Sequence, residues 1–282
     1  MGIHKKLTWL FLLIALVPLV LLGFSSYLII KSSTRRLVID HLESIASLQK
    51  DKVENFIQNN LSKLSLVTSR TQLRISLARY LQNSDSAELE RIERILKDAR
   101  DSTGAFKEIS ILSMDGIIMA STNPKYTGED VSRTSSFTRG KQNGTADFFY
   151  LENGPSMFGY LSGPLFFEEQ LIGVVLIDID VQKIFPILIS YTALGKTGDV
   201  LLVKRAPDGD ALFLNPPRFG STTRIDREIM EKNPTPIFYA LSQKERVLPD
   251  AVDYRGKPVV ACTKHIDVTN WGLVVKKDAA EA

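Results

Sequence analysis

The chain has 282 residues, 44% hydrophobic and 24% charged, which suits one large domain or two of ordinary size and excludes wholesale disorder. Its 35 Lys and Arg against 32 Asp and Glu give a formal charge of +3, but two of the basic residues, Lys5 and Lys6, stand in an otherwise uncharged first thirty, so residues 31–282 carry 33 basic and 32 acidic groups. That balance excludes a nucleic-acid partner gripped by a basic surface, and the single Cys262 excludes an internal disulfide framework and a zinc site built on several thiolates.

Residues 7–30, LTWLFLLIALVPLVLLGFSSYLII, run without a charge. At about 1.5 Å per residue a helix of this length crosses a hydrocarbon core of roughly 30 Å. A cleaved signal peptide has an apolar core of about 7–15 residues ending in an A-x-A-like site. This run is longer and no such site follows, so the sequence predicts an uncleaved transmembrane helix over 7–30. His4, Lys5 and Lys6 keep residues 1–6 cytoplasmic by the positive-inside tendency and send the rest outward, as an extracytoplasmic, periplasmic domain on a single span of the inner membrane. Cys262 in the strand-like context VVACTKH then reads as a small buried hydrophobe.

Residues 24–103 contain neither Gly nor Pro, the two strongest helix breakers. Val38, Leu42, Ile45, Val53, Phe56, Leu64 and Val67 recur on steps of three and four, with Gln49 and Asn60 in the same stripe, and the stripe repeats about every eleven residues. The spacing predicts a long stalk helix over 31–81, its first half the seam of a homodimer. It should break near QNSDSAE, where Asp85 and Glu88 have the spacing of a capping box for a second helix ending before Gly104.

Beyond Gly104, short apolar runs alternate with turns. EISILSMDGIIMAS reads as two strands joined at Asp115-Gly116, with further strands at 147–151, 157–166 and 171–179 and a short helical or irregular segment around 131–141. After the connector VQKIFPILISYTALGKTG the plan repeats: DVLLVKR, a turn at Asp208-Gly209, ALFLN, a helix near 224–232, and strands at 258–265 and 271–277. Gly116 corresponds to Gly209, 93 residues on, and Gly173 to Gly272, 99 residues on. Neither half alternates strand with helix as a parallel sheet requires, so both read as antiparallel sheets with helices on their faces. The fold class is α+β: an N-terminal transmembrane helix and a long stalk helix, then two tandem PAS-like units. The expected divisions are 1–6, 7–30, 31–81, 82–180, a connector 181–194, and 195–282.

A membrane helix, a long helix and two PAS-like units, with LIGVVLIDID closing the first and WGLVVKKDAAEA the second, resemble the double Cache, or double PDC, sensory domain of sensor histidine kinases, chemoreceptors and diguanylate cyclases. The resemblance implies a ligand in the membrane-distal unit, 82–180, and a proximal unit, 195–282, leading to a second membrane helix. No output sequence follows, so it also implies the sensory part of a longer protein or a naturally shortened one. In amino-acid-binding members an Arg, a Trp and an aromatic follow the second strand and an Asp holds the ligand amine. In YTGEDVSRTSSFTRG, aligning Asp130 and Phe137 puts Thr134 and Ser136 at the Arg and Trp positions, and in TADFFYLENG Asp147 or Glu152 would serve only with a shift. The motif is broken, so no α-amino-acid ligand is expected. The residues expected to face a pocket are Arg133, Phe137, Arg139, Phe149, Tyr150, Met157 and Tyr160, and two arginines suit a carboxylate or other small anion.

Asp178 and Asp180 read as a strand end and a cap, the acidic residues Asp115, Asp208 and Asp210 as turn formers, and the dispersed His4, His41 and His265 as no metal cluster. No cofactor is expected. G-x-S-x-G and H-E-x-x-H are missing, and His265 lies three residues from Cys262 on one strand and so on its opposite face. A tethered hydrolase is therefore disfavoured. A structural assembly protein would explain the stalk but leave both sheet units without a purpose.

Overall fold

The stretch without Gly or Pro becomes helix in three pieces. A computed structural model describes residues 3–104, 106–150, 157–179, 191, 193–220, 223–232 and 234–282; at residues 3–8, 10, 12, 14, 15, 27, 28, 30–32, 148–150, 157 and 158 it describes the backbone alone. Helix α1 (Ile3–Thr68) runs through Pro18 for 66 residues, about 99 Å at 1.5 Å per residue. Among the described side chains of its first thirty residues, the large apolar ones are exposed, Phe11 and Leu19 at 74% and 71%. Among the described residues no helix is long and apolar enough to cross a membrane, and the side chains of Leu10, Leu12, Ile14, Leu28 and Ile30, within the predicted span, lie outside them.

The expected unbroken helix to Leu81 stops early. After Thr68 comes an extended Arg70 (φ −61°, ψ 112°), then α2 (Thr71–Asn83). The Thr68 and Ser69 hydroxyls donate to the carbonyls of Ser65 and Leu66, offering the chain an alternative to continued helix. Ser84, left-handed, ends α2, and Asp85 caps α3 (Ser86–Thr103) by accepting the Ala87 N–H at 2.9 Å. Glu88 does not reach back to complete a capping box. Arg79 and Arg91 hold it instead, each at 3.4 Å.

Two antiparallel sheets follow. The first combines β1 (Phe106–Leu112), β2 (Ile118–Ser121), β3 (Thr145–Tyr150), β4 (Met157–Phe167) and β5 (Gln170–Ile179) in the order β2-β1-β5-β4-β3, with the short helix α4 (Ser135–Gly140) over one face. The second combines β6 (Asp199–Arg205), β7 (Ala211–Phe213), β8 (Arg224–Ile225), β9 (Arg246–Val252), β10 (Pro258–Ile266) and β11 (Trp271–Asp278) in the order β8-β7-β6-β11-β10-β9, with α5 (Arg227–Lys232) and α6 (Pro236–Leu241) over one face. Strand β8, helix α6 and strand β9 are additions to the sequence reading. Of the predicted connector, residues 181–190 and 192 lie outside the described residues.

One apolar core joins the inner faces of both sheets to α1, α2 and α3. Ile109, Ile111, Val175 and Ile177 of the first sheet and Val200, Leu202, Cys262 and Leu273 of the second belong to a single buried cluster with Leu42, Val53, Ile57 and Leu64 of α1. The expected dimer seam is thereby used up. Leu42, Ile45, Val53, Leu64 and Val67 are buried, and Val38 and Phe56 pack beside them, because the stripe faces the chain's own sheets. Burial also pushes the Cys262 thiol up to about 11, as fits an inert core residue.

The glycine correspondence between the halves also shifts. A Cβ at Gly173 would meet Leu77 of α2 on the α1 side, whereas one at Gly272 would meet Ala240 of α6 on the other side. Side chains alternate along a strand, so the two glycines stand one register step apart in the repeat.

Candidate ligand site

On the first sheet's face turned away from α1, cross-strand partners form rows. Glu108 of β1 pairs with Asp178 of β5, Asp178 with Tyr160 of β4, and Tyr160 with Asp147 of β3. Partners in register share a face, so four polar residues from four strands stand in one line. The next row is Ser110, Leu176 and Ser162, and the third is Leu112, Val174 and Pro164. Helix α4 closes the far end. Its Ser136 carbonyl accepts the Ser162 hydroxyl at 2.7 Å, and Phe137 sinks into a small core with Leu112, Ile118 and Val174.

Between α4, the loop after β2 and the acidic row lies a cavity of about 400 Å³, lined by Lys107, Glu108, Ser110, Ile118, Tyr126, Glu129, Val131, Thr134, Ser135, Ser136, Tyr160, Leu176 and Asp178. Three carboxylates face one ammonium, and that Lys107 is half-exposed and 3.7 Å from Asp178. Asn123 donates to Glu108 at 2.7 Å. Burial, and then the charge of Asp178, pushes the Tyr160 phenol up to about 12, so it stays protonated and the acidic surplus rests on the carboxylates.

An acidic cavity with two tyrosine rings can hold a cation. Carboxylates accept charge-assisted hydrogen bonds from an ammonium, and ring faces attract its charge. Among the described residues no three His, Cys, Asp or Glu groups converge closely enough for a metal ion.

Of the sequence-predicted residues, the cavity takes Tyr160 alone among those whose side chains are described. Arg133 and Arg139 are exposed and stand outside the lining, and Phe137 is core, 3% exposed, with the Lys141 ammonium 4.5 Å from its ring. The backbones of Phe149 and Tyr150 pair with Phe158 and Met157, but the side chains of Phe149, Tyr150 and Met157 lie outside the described residues. Without the arginines the expected small anion loses its partners. Asp178, read from sequence as a strand end, lines the cavity instead. Its partner across the sheet, Glu108, lines the cavity too, and the signal both residues carry in sequence is a charge inside an apolar strand.

One wall leads out of the site. The Ser135 hydroxyl donates to Asp147 at 2.9 Å, and Asp147, 4% exposed, receives the ammonium of Lys204 on β6 of the second sheet at 2.5 Å.

A family model described as Cache domain matches residues 30–282. No curated protein matches the chain. Among solved structures, the ligand-binding domain of a Campylobacter jejuni chemoreceptor in complex with L-norvaline is similar at 14% identity and a TM-score of 0.58, over 88% of this chain and 94% of that one. The corresponding domain of a Pseudomonas fluorescens chemoreceptor in complex with L-isoleucine has 14% identity and a TM-score of 0.60 over 89% and 96%. That of a Pseudomonas aeruginosa amino acid chemoreceptor in complex with L-Arg has 14% identity and a TM-score of 0.57 over 86% and 95%.

Proposed function

The chain belongs to the Cache domain family, and from that premise we propose that it is the extracytoplasmic sensing part of a membrane receptor whose ligand is a small amine. The observation that carries the ligand class is the line Glu108, Asp178 and Tyr160 in a cavity with a surplus of carboxylates. Similar chemoreceptor domains hold L-norvaline, L-isoleucine and L-Arg, all of which carry an ammonium group. The role is binding, with no turnover.

The proposed topology keeps residues 1–6 cytoplasmic and 7–30 in the membrane, and makes 82–180 the distal and 195–282 the proximal unit. Among the described residues, eleven exposed large hydrophobics from Trp9 to Ile29 support the span. A homodimer through α1 would use its outer line. Leu37, Leu48 and Leu66 are 68%, 53% and 69% exposed, and their spacings of eleven and eighteen residues are close to whole numbers of turns.

Ligand binding acts by differential affinity for two arrangements of the cavity wall. A change at Ser135 reaches the proximal unit through Asp147 and Lys204, and helix displacements of about 1–2 Å are enough to pass it to a membrane helix. Calorimetry on the detergent-solubilised chain tests the ligand class. Primary amines should bind and simple carboxylates should not; binding of carboxylates alone would overturn it.

A further inference from the structure

The second sheet repeats the order of the first, with β6 in the place of β1 and β11 in the place of β5. Where the first sheet sets Glu108 against Asp178, the second sets Asp199 against Lys276. Both lie on the face turned away from α1, since they are two residues from Leu201 and Val274, which pack under α6. Lys276 is wholly buried, its Nζ 2.7 Å from Asp253 Oδ2 and 3.7 Å from Asp199 Oδ2. The same ammonium stands 5.0 Å from the centre of the Tyr254 ring and 5.9 Å from that of Phe219. Asp199 is fixed in turn by the Arg218 N–H at 3.2 Å and the Tyr254 hydroxyl at 3.0 Å.

The Arg255 guanidinium shares Asp253 Oδ2 at 2.6 Å and stands 4.9 Å from the centre of the Phe219 ring, so Asp253 and the rings already have one cation beside them. A buried ion pair is seldom more stabilising than a hydrophobic filling of the same volume, so stability alone does not account for the second, wholly buried ammonium of Lys276. A groove of about 680 Å³, bordered by Asp253, Tyr254, Ile225, Ile229 and Thr235, opens beside this cluster. We propose that the proximal unit contains a receptor site for a small primary ammonium ion, and that Lys276 fills it from within the chain. The lysine takes the place of a ligand. The proximal unit is thereby held permanently in the arrangement an amine would select, and the distal cavity is left as the one that varies.

The test separates this site from the distal one by working in an Asp178→Asn background. Lys276→Ala should lower the melting temperature of the full chain, and methyl-, ethyl- and n-propylammonium chloride should restore it progressively, by about 5 °C near saturation. Sodium chloride at equal ionic strength should not. Lys276→Met, which fills the hole without a charge, should be indifferent to the amines. If Lys276→Ala does not fold, the same comparison is read as the yield of folded chain on refolding with n-propylammonium against sodium. Equal effects of amine and sodium, or an equal response of the Ala and Met variants, would overturn the proposal whether or not the distal cavity binds amines.

Discussion

Asp147 on β3 and Lys204 on β6 meet at 2.5 Å across the division between the two sheets, their side chains 6% and 17% exposed. The pair sits one hydrogen bond from the cavity wall, through Ser135. Lys204→Met leaves a buried carboxylate without its counter-charge, which costs about 3 kcal/mol. The expected result is a lower urea midpoint, with partial recovery when Asp147→Asn is added, since neighbouring sites are not additive. Ligand affinity should change little while signalling in the full receptor falls. A double variant no more stable than Lys204→Met alone would show that the pair is uncoupled.

The acidic row makes a contrast between neighbouring residues. Asp178→Asn and Glu108→Gln each remove a charged acceptor from the cavity and should weaken amine binding about tenfold or more. Arg133→Ala and Arg139→Ala, outside the lining, should leave the affinity within about twofold. Titration calorimetry on the four variants distinguishes an amine site from the anion site suggested by the arginines in sequence.

Cysteine crosslinking reads the face that α1 presents. Leu48→Cys, on the outer line, should form a disulfide between protomers in membranes under mild oxidation, and Ile45→Cys, buried against the chain's own sheets, should not. Efficient crosslinking at Ile45 and none at Leu48 would place the partner on the face that the fold covers.

Glu281 gives a pH signature. Its carboxylate accepts from the Thr197 hydroxyl and from the N–H groups of Lys196 and Thr197, and the hydroxyl bond above all holds it down to about 2, against 4.5 for an ordinary Glu. A depressed folded-state value means that the stabilisation is complete above the unfolded value and is lost as pH falls from about 4.5 toward 2. NMR titration should give that low midpoint, and Glu281→Gln should remove the acid-dependent change of the Lys196 and Thr197 amide shifts. A midpoint near 4.5 would contradict the contact.

The coarse plan was legible because it rests on strong local signals. The missing Gly and Pro marked the helical third, Asp115-Gly116 and Asp208-Gly209 marked turns, and apolar alternation marked most strands. The break at Ser69 was not legible: hydroxyl bonds to Ser65 and Leu66 are weak competitors that register only when α2 turns back to pack Leu73 and Leu77 in the core. The site was harder for a different reason. Arg133 and Arg139 drew attention by charge near a motif, but which strand residues share a face and a row depends on pairing between β1, β5 and β4, and that is a tertiary property. Glu108 and Asp178 lie 70 residues apart in sequence and directly opposite in the sheet. The glycine repeat failed on the same point, since a shift of one residue, invisible in spacing, turns Gly272 to the other side from Gly173.

Helix α1 supplies the inner layer for both sheets, and its apolar stripe merges their two interiors into one buried cluster. The two units are separate in sequence and in topology but not in thermodynamics. Neither sheet keeps its backing if the helix is lost, so heat should melt both in one cooperative transition, and a fragment beginning after the connector, with its half of the core open to water, should not fold.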